Sequence, residues 1–214
     1  MDIVWYGQAC FKLKGKNASV VIDPFDPDFT GLKFPKDLSA DVVLSTHEHK
    51  DHSNVEIVTG KPMIFREAGE YEVSGVVITG TSSFHDNSNG SQRGANIIFH
   101  IMFDGLNLVH LGDLGQGKLT EEQIAQIGQT DILLLPVGSI FTIDAKTASE
   151  IVSQLEPKII IPMHYKVEGL KFELDPVDNF LKEMGAEGVI PQPKLSITKE
   201  KLPEEPKIVV LNNG

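Results

Sequence analysis

The sequence predicts a mixed α/β fold in which two β-sheets pack together and helices cover their outer faces. Short apolar runs, separated by Gly, Asn, Asp and Pro, fill the first half of the 214-residue chain, as is typical of consecutive strands. The second half alternates helical and strand patterns. Two of its apolar runs have no polar residue, which is typical of strands covered on both faces.

Strands are predicted wherever a short apolar run is bounded by turn residues. The first half gives residues 3–6, 10–13, 20–22, 42–44, 76–78, 97–103 and 108–111. A hairpin turn at Asn17 separates the second and third of these strands. The second half gives residues 132–137, 159–161 and 207–211.

Three helices are predicted in the second half from the residues that cap them. They are a helix up to Gly128 opened by the capping box of Thr120 and Gln123, a helix over residues 145–155 capped by Asp144, and a helix from Pro176 to Gly185 capped by Asp175. Helices in this half would cover the apolar strands beside them.

Bulk composition predicts one globular domain over residues 1–214, because 41% of the residues are hydrophobic and 23% are charged. A net charge of −11 without a Lys/Arg cluster argues against nucleic-acid binding. No apolar run could span a membrane, and the N-terminus does not resemble a signal peptide. The single cysteine, Cys10, cannot form an internal disulfide, so a cytoplasmic location is predicted. The expected partner is a small-molecule substrate, and a homo-oligomer is compatible with the sequence.

The segment after the strand at 42–44 contains His47, His49, Asp51 and His52. Imidazole nitrogen and carboxylate oxygen are the usual ligands of zinc and of similar divalent ions. In extended backbone His47 and His49 point to the same side, so both can reach one ion. Asp51 and His52 diverge in a strand, but they can serve a second ion if the chain turns there. The cluster predicts a metal site at a strand end; the alternative is a solvated His-rich loop or an adventitious site.

The spacing His47-x-His49-x-Asp51-His52 resembles the signature of the metallo-β-lactamase superfamily. Five motifs occur in that family's order between residues 23 and 164. They are Asp23 at a strand end, the His-rich cluster, His85 in Ser-Phe-His-Asp, Asp113 in His-Leu-Gly-Asp and His164 in Pro-Met-His-Tyr. Pro24, where many members carry a small residue before Gly, departs from the pattern and puts the local turn in doubt. The chain is most similar to the compact branch of ascorbate-6-phosphate lactonase-like and uncharacterised hydrolases.

The resemblance implies an αββα sandwich with two divalent ions, of which zinc is the first choice and manganese or iron the alternatives. The implied ligands are His47, His49 and His85 for the first ion, Asp51, His52 and His164 for the second, and Asp113 as a bridge. Asp23 would accept hydrogen bonds and orient the His-rich loop. Asp51 would also orient the nucleophile or pass a proton to the leaving group.

Three further residues carry predictions of their own. His110, inside an apolar run, is interpreted as a buried histidine that supports the site or the core. Arg93, in a polar loop near His85, would bind a substrate carboxylate or phosphate, with a loop-anchoring role as the equal alternative. Tyr165 could stabilise an oxyanion, although a packing role is favoured.

The predicted function is hydrolysis of a small-molecule ester, lactone or phosphoester by a hydroxide that two metal ions activate. One alternative is a non-catalytic metal-binding or regulatory module that keeps the ligands. The other is a di-iron redox protein on the same fold.

Overall fold

Two mixed β-sheets form the centre of the computed structural model, which describes residues 1–213. The first sheet contains β1 (Asp2–Gly7), β2 (Cys10–Lys14), β3 (Ser19–Ile22), β4 (Val42–Leu44), β5 (Met63–Phe65) and β12 (Leu195–Ser196), in the spatial order β12-β1-β2-β3-β4-β5. Strands β3, β4 and β5 are parallel, and the other neighbours are antiparallel. The predicted turn at Asn17 joins β2 to β3, which confirms the hairpin.

The second sheet has seven strands. They are β6 (Gly69–Val73), β7 (Val76–Phe84), β8 (Ala95–Phe103), β9 (Leu106–His110), β10 (Ile132–Pro136), β11 (Ile159–Met163) and β13 (Lys207–Ile208), in the spatial order β13-β11-β10-β9-β8-β7-β6. The side from β9 to β13 is parallel, whereas β6 to β9 is an antiparallel meander. Every residue of β10 and β11 is buried, as the two apolar runs predict.

One continuous apolar core joins the two sheets. Trp5 and Phe11 of the first sheet and Phe99 and Ile101 of the second are at most 1% exposed and belong to this core. Burying such large side chains is the main favourable term in folding. The sandwich of two sheets flanked by helices is therefore confirmed.

Three helices cover the second sheet: α2 (Glu121–Ile127), α3 (Ala145–Leu155) and α4 (Val177–Glu183). The capping box before α2 and the Asp144 cap of α3 form as predicted. The predicted start of α4 is wrong by one position. Pro176 occupies the N-cap site, where its backbone is extended and no side-chain cap forms.

The outer face of the first sheet is covered more thinly than the predicted sandwich implies. Cys10, Val21 and Val43 pack there in a smaller core of their own. The cover consists of α1 (Pro27–Thr30), a 3-10 turn (Val55–Ile57) and an irregular segment around residues 170–174. Long helices are thus confined to one side of the molecule.

None of the helices in the described part of the chain combines the length and the apolar character that crossing a membrane requires.

Candidate metal centre

Four strand ends deliver the seven predicted metal ligands to one edge of the sandwich. His47 to His52 follow β4 in the first sheet. His85, Asp113 and His164 follow β7, β9 and β11, whose carboxyl ends lie at the same edge of the second sheet. Residues at such strand ends converge although they are distant in sequence.

His47, His49 and His85 form the first group of donor atoms, which we call the three-histidine group. One nitrogen from each ring lies within 4.8 Å of the others. Nε2 of His47 is 3.0 Å from Nδ1 of His49, so the two rings use different nitrogens toward one point. The side chain of His47 is 5% exposed, whereas His49 lies open to solvent.

Asp51, His52, Asp113 and His164 form the second group, which we call the aspartate group, and its donor atoms also lie within 4.8 Å of one another. The carboxylate oxygen Oδ2 of Asp113 is 3.1 Å from Nε2 of His52 and 3.4 Å from Nε2 of His164. The same oxygen is 3.2 Å from Nε2 of His85 in the three-histidine group. Asp113 therefore stands between the two groups, and the structure brings all seven residues together.

The chemistry of these residues fits divalent cations. Five imidazoles and two carboxylates make a donor set that zinc, manganese and iron accept. Oδ1 of Asp113 is buried and has no hydrogen-bond partner among residues 1–213. Leaving such an atom unpaired costs about 1–3 kcal/mol, which a bound cation removes.

Two rings of the three-histidine group, His47 and His49, favour the neutral form. Burial, followed by the nearby His52, lowers the pKa of His47 to about 2. Burial and the neighbouring His85 also lower the pKa of His49. Neutral imidazole is the form that ligates a metal, so these two rings are ready to bind at neutral pH.

The aspartate group concentrates negative charge. Burial opposes ionisation of Asp113, but His164 and His52 outweigh burial and hold the pKa of Asp113 well below its usual range. Burial lowers the pKa of His52, yet the carboxylates of Asp113, Asp51 and Asp23 raise it well above its usual range. Ionised carboxylates buried this deeply require a positive charge beside them.

Asp23 hydrogen bonds to both ends of the His-rich loop from the end of β3. Its Oδ1 accepts from the backbone N–H of Thr46 at 2.8 Å, and its Oδ2 accepts from the Thr46 hydroxyl at 2.7 Å. Oδ2 also lies 2.8 Å from Nδ1 of His52. The Thr46 hydroxyl in turn lies 3.1 Å from Nδ1 of His47. These bonds fix one ring of each group, which is the kind of contact expected of Asp23.

His110 and Asn96 hold the turn that carries Asp113. Nδ1 of His110 accepts from the Gly112 N–H at 3.1 Å, and Nε2 lies 2.9 Å from the Ala9 carbonyl. The Asn96 carboxamide donates to the Leu111 carbonyl at 2.9 Å and accepts from the Asp113 N–H at 3.0 Å. Gly112 has a φ of 57°, and a Cβ there would clash with Asn96. Sequence analysis assigned no role to Asn96, whose partners are 15 and 17 residues away.

Gln8 is a second residue that sequence analysis missed. It is fully buried in the turn between β1 and β2, and its φ of 47° is left-handed. Its carbonyl accepts from the His164 N–H at 3.0 Å, and His164 has a left-handed φ of 50°. Such conformations cost about 1–3 kcal/mol each in residues other than glycine, so the surrounding structure must impose them. The only local signal is Gly7 before it, which indicates a tight turn.

A pocket of about 620 Å³ opens directly over both groups. Arg93 lines it, with its guanidinium 4.8 Å from the ring centre of Phe141, a cation–π contact. Asp86 shapes the Arg93 loop by accepting backbone hydrogen bonds from Ser88, Gly90, Gln92 and Arg93. Burial would raise the pKa of Asp86, but these four bonds together lower it to about 2. Arg93 is thus placed at the mouth of the site by a loop of defined shape.

Tyr165 lies beneath the site, not in the pocket. It is 5% exposed, its ring centre is 4.9 Å from that of Trp5, and its hydroxyl is 3.5 Å from the Leu211 carbonyl. Burial raises the pKa of Tyr165. Its surroundings are those of a packing residue.

The family model, the related sequences and the solved structures that match this chain agree with one another. The Beta-lactamase superfamily domain family matches residues 2–164. The UPF0173 metal-dependent hydrolase of Thermoplasma volcanium is 32% identical over 224 residues, covering 90% of this chain and 96% of that protein. A crystal structure of a candidate Zn-dependent hydrolase of the metallo-beta-lactamase superfamily from Thermotoga maritima is 40% identical, with a TM-score of 0.80, and covers 98% of this chain and 97% of the other.

A more distant structure shares the fold alone. The metallo hydrolase Igni18 from Ignicoccus hospitalis is 18% identical, with a TM-score of 0.67, and covers 92% of this chain and 99% of that one. The two-sheet sandwich is therefore retained where the sequence has largely changed.

Proposed function

The chain belongs to the metallo-β-lactamase superfamily, and from this premise we propose that it is a metal-dependent hydrolase that cleaves a small-molecule ester, lactone or phosphoester at a binuclear site. One observation carries the proposal: two groups of donor atoms, with Asp113 between them, form the floor of a substrate-sized pocket. Imidazole and carboxylate donors favour zinc, with manganese or iron as alternatives.

In this proposal each group of donor atoms holds one ion. His47, His49 and His85 would hold the first, Asp51, His52 and His164 would hold the second, and Asp113 would serve both. When bound, two such ions lower the pKa of a water that becomes the nucleophile and polarise the substrate oxygen. Asp23, His110 and Asn96 keep the ligands in register through the hydrogen bonds described above.

Asp51 is proposed to orient the nucleophile and to pass a proton to the leaving group. Its side chain is 11% exposed and lines the pocket, so it faces the substrate as well as the aspartate group. Burial opposes its ionisation, but His52 and His164 lower the pKa of Asp51 below its ordinary value. An ionised carboxylate in contact with the nucleophile can accept its proton.

The pocket walls favour a substrate with an anionic group. Arg93, Lys50 and Lys171 line the pocket of a chain whose net charge is −11. A guanidinium binds carboxylate or phosphate in two-point geometry. Phe29, Phe141 and Phe172 line the same pocket and suit an apolar body on the substrate. Arg93→Ala is expected to raise KM for anionic substrates while metal content stays unchanged.

The test is a screen of purified protein against lactones, phosphodiesters, thioesters and β-lactams, with metal content measured on the same sample. We expect hydrolysis of one class, lost on chelation and restored by one metal. Full activity of metal-free protein would contradict the proposal. Metal binding without any hydrolysis would favour the regulatory module, and an iron centre that turns over electrons would favour the redox protein.

A further inference from the structure

The carboxamide of Gln8 reaches the aspartate group from the floor of the site. Its Nε2 lies 3.2 Å from Nε2 of His164 and 3.3 Å from Oδ2 of Asp51. Its Oε1 is buried and has no hydrogen-bond partner among residues 1–213. A fully buried amide with one unsatisfied end beside a group of metal-ligating atoms requires an explanation.

The position of this amide matches that of a ligand. Donor atoms bound about 2.1 Å from one ion lie about 3.0–3.4 Å apart in octahedral to tetrahedral shells. Neighbouring donors of the aspartate group are spaced in the same way, at 3.1 Å for His52 with Asp113 and 3.4 Å for His164 with Asp113. The end of the Gln8 amide stands at this spacing from two of these donors.

The charge next to the Gln8 amide decides whether its oxygen or its nitrogen faces the aspartate group. A half-turn about the Cγ–Cδ bond exchanges Oε1 and Nε2 with little change of shape. Nε2 can donate to Asp51 and His164 when no cation is present. A cation held by those residues attracts the carbonyl oxygen and repels the amide hydrogens, so the oxygen end then faces the site.

We infer that the carboxamide oxygen of Gln8 is a further ligand of the ion held by the aspartate group, an inference that rests on the proposed binuclear site. An amide oxygen adds a ligand without adding negative charge. The buried Gln8 backbone fixes the amide, because its carbonyl also holds His164 through the 3.0 Å hydrogen bond. The competing account is that Gln8 only donates an N–H to Asp51.

Three variants separate these accounts, with binding of cobalt(II) followed by titration and by its visible spectrum. Gln8→Ala removes the oxygen, and we expect at least about ten-fold weaker binding of one of the two ions. Losing an oxygen ligand should also intensify the visible absorption of that ion, since lower coordination gives stronger cobalt bands. Gln8→Asn keeps an amide and tolerates the left-handed backbone, but it is one methylene too short, so we expect the same result.

The cobalt band intensity decides between ligand and donor, and Gln8→Glu is compared with Gln8→Ala for this purpose. Gln8→Glu restores an oxygen at full length, so as a ligand it should keep or strengthen cobalt binding and keep the wild-type band intensity. If Gln8 were only an N–H donor, the ion would have the same number of ligands without the amide, and the band intensity of Gln8→Ala would equal that of the wild type. That result would overturn the inference, as would unchanged binding in all three variants.

The controls keep this inference distinct from the proposed function. Gln154→Ala removes a glutamine whose amide bonds only Leu119, far from the site, and it should bind cobalt as the wild type does. Melting curves of the metal-free variants identify any that fail to fold. If wild-type protein binds fewer than two ions, the binuclear proposal itself fails. If it binds two ions and the Gln8 variants match it, only the role of Gln8 fails.

Discussion

The two groups of donor atoms differ in charge and in access to solvent. The three-histidine group contains no carboxylate apart from the shared Asp113, and one of its rings, His49, is exposed. The aspartate group contains two carboxylates, is buried throughout and is supported from below by Asp23. A divalent cation gains more from buried negative charge than from neutral rings.

If each group holds one ion, as proposed, this difference should make one ion bind tightly and the other exchange with solvent. The aspartate group should bind its ion more tightly, whereas the three-histidine group should exchange its ion with solvent. We therefore predict two non-equivalent affinities, and the following substitutions test which residues create the difference.

The largest effect is expected from Asp113→Asn, which keeps the shape of the shared residue and removes its charge. Because Oδ2 of Asp113 contacts both groups, both ions should bind more weakly, and activity should fall by more than the roughly 10–100-fold typical of outer hydrogen-bond partners. Metal analysis and steady-state kinetics measure both quantities. Asp37→Asn, at an exposed position, is the matched control. If Asp113→Asn still binds two ions tightly, the proposal that Asp113 serves both groups is wrong.

His49→Ala should separate the two groups. The exposed ring contributes only to the three-histidine group, so the protein should retain one ion per chain and lose most of its activity. Equilibrium dialysis followed by elemental analysis gives the stoichiometry. Loss of both ions would show that the groups bind as a single unit.

A smaller effect is expected from the residues behind the ligands. Asp23→Asn weakens the support of His52 and, through Thr46, of His47, so both affinities should fall about 10–100-fold. Thr46→Val removes the hydroxyl that contacts His47 and donates to Asp23, but it leaves the Asp23–His52 contact in place, so the first ion should weaken by about ten-fold and the second by less. Competition with a coloured chelator measures both affinities. An equal loss at both ions in Thr46→Val would contradict the separate supports.

The smallest effect is expected from Asp86→Asn, which acts on the pocket wall. The substitution removes an oxygen that accepts from Gln92 and Arg93 and puts an N–H group in its place. The Arg93 loop should loosen, so KM for an anionic substrate should rise several-fold while kcat and metal content change little. If only kcat changes, Asp86 acts on the metal-binding residues and not on substrate binding through Arg93.

The His-rich cluster could be predicted from its local spacing, whereas His85, Asp113 and His164 were identified through the resemblance to the family. His47 and His49 are separated by one residue, so in extended backbone their side chains point to the same side. Each of the other residues of the two groups follows an apolar run that is visible in the sequence. Helices α2 and α3 were predictable for the same reason, since Thr120 and Asp144 cap them through contacts three residues away.

The residues that were missed depend on contacts between distant parts of the chain. Gln8 meets His164 across 156 residues, and no local pattern marks that pairing. Strand β12, at one edge of the first sheet, has only two residues and no apolar run. Strand β5, at the other edge, is an apolar run from Met63 to Phe65, so its local signal was present but was not used. Strand β7 runs six residues past its predicted end, because pairing with β8 holds a polar stretch in the sheet.

Helix α1 is a different kind of miss, since its signal was present. Asp26 caps it by accepting from the Asp28 N–H at 2.9 Å, and Pro27 opens it. The same Asp-Pro pattern at Asp175 was used to predict α4, where the cap does not form. Two residues alone therefore do not decide whether an Asp-Pro pair caps a helix.

The most direct test is a chelator titration in which bound metal and hydrolytic activity are measured in the same samples. The account predicts two ions per chain, lost in two steps, with activity falling as the first, weaker ion leaves and returning when the metal is restored. Activity that survives the loss of both ions, or a protein that is fully active with a single ion, would contradict a binuclear hydrolase.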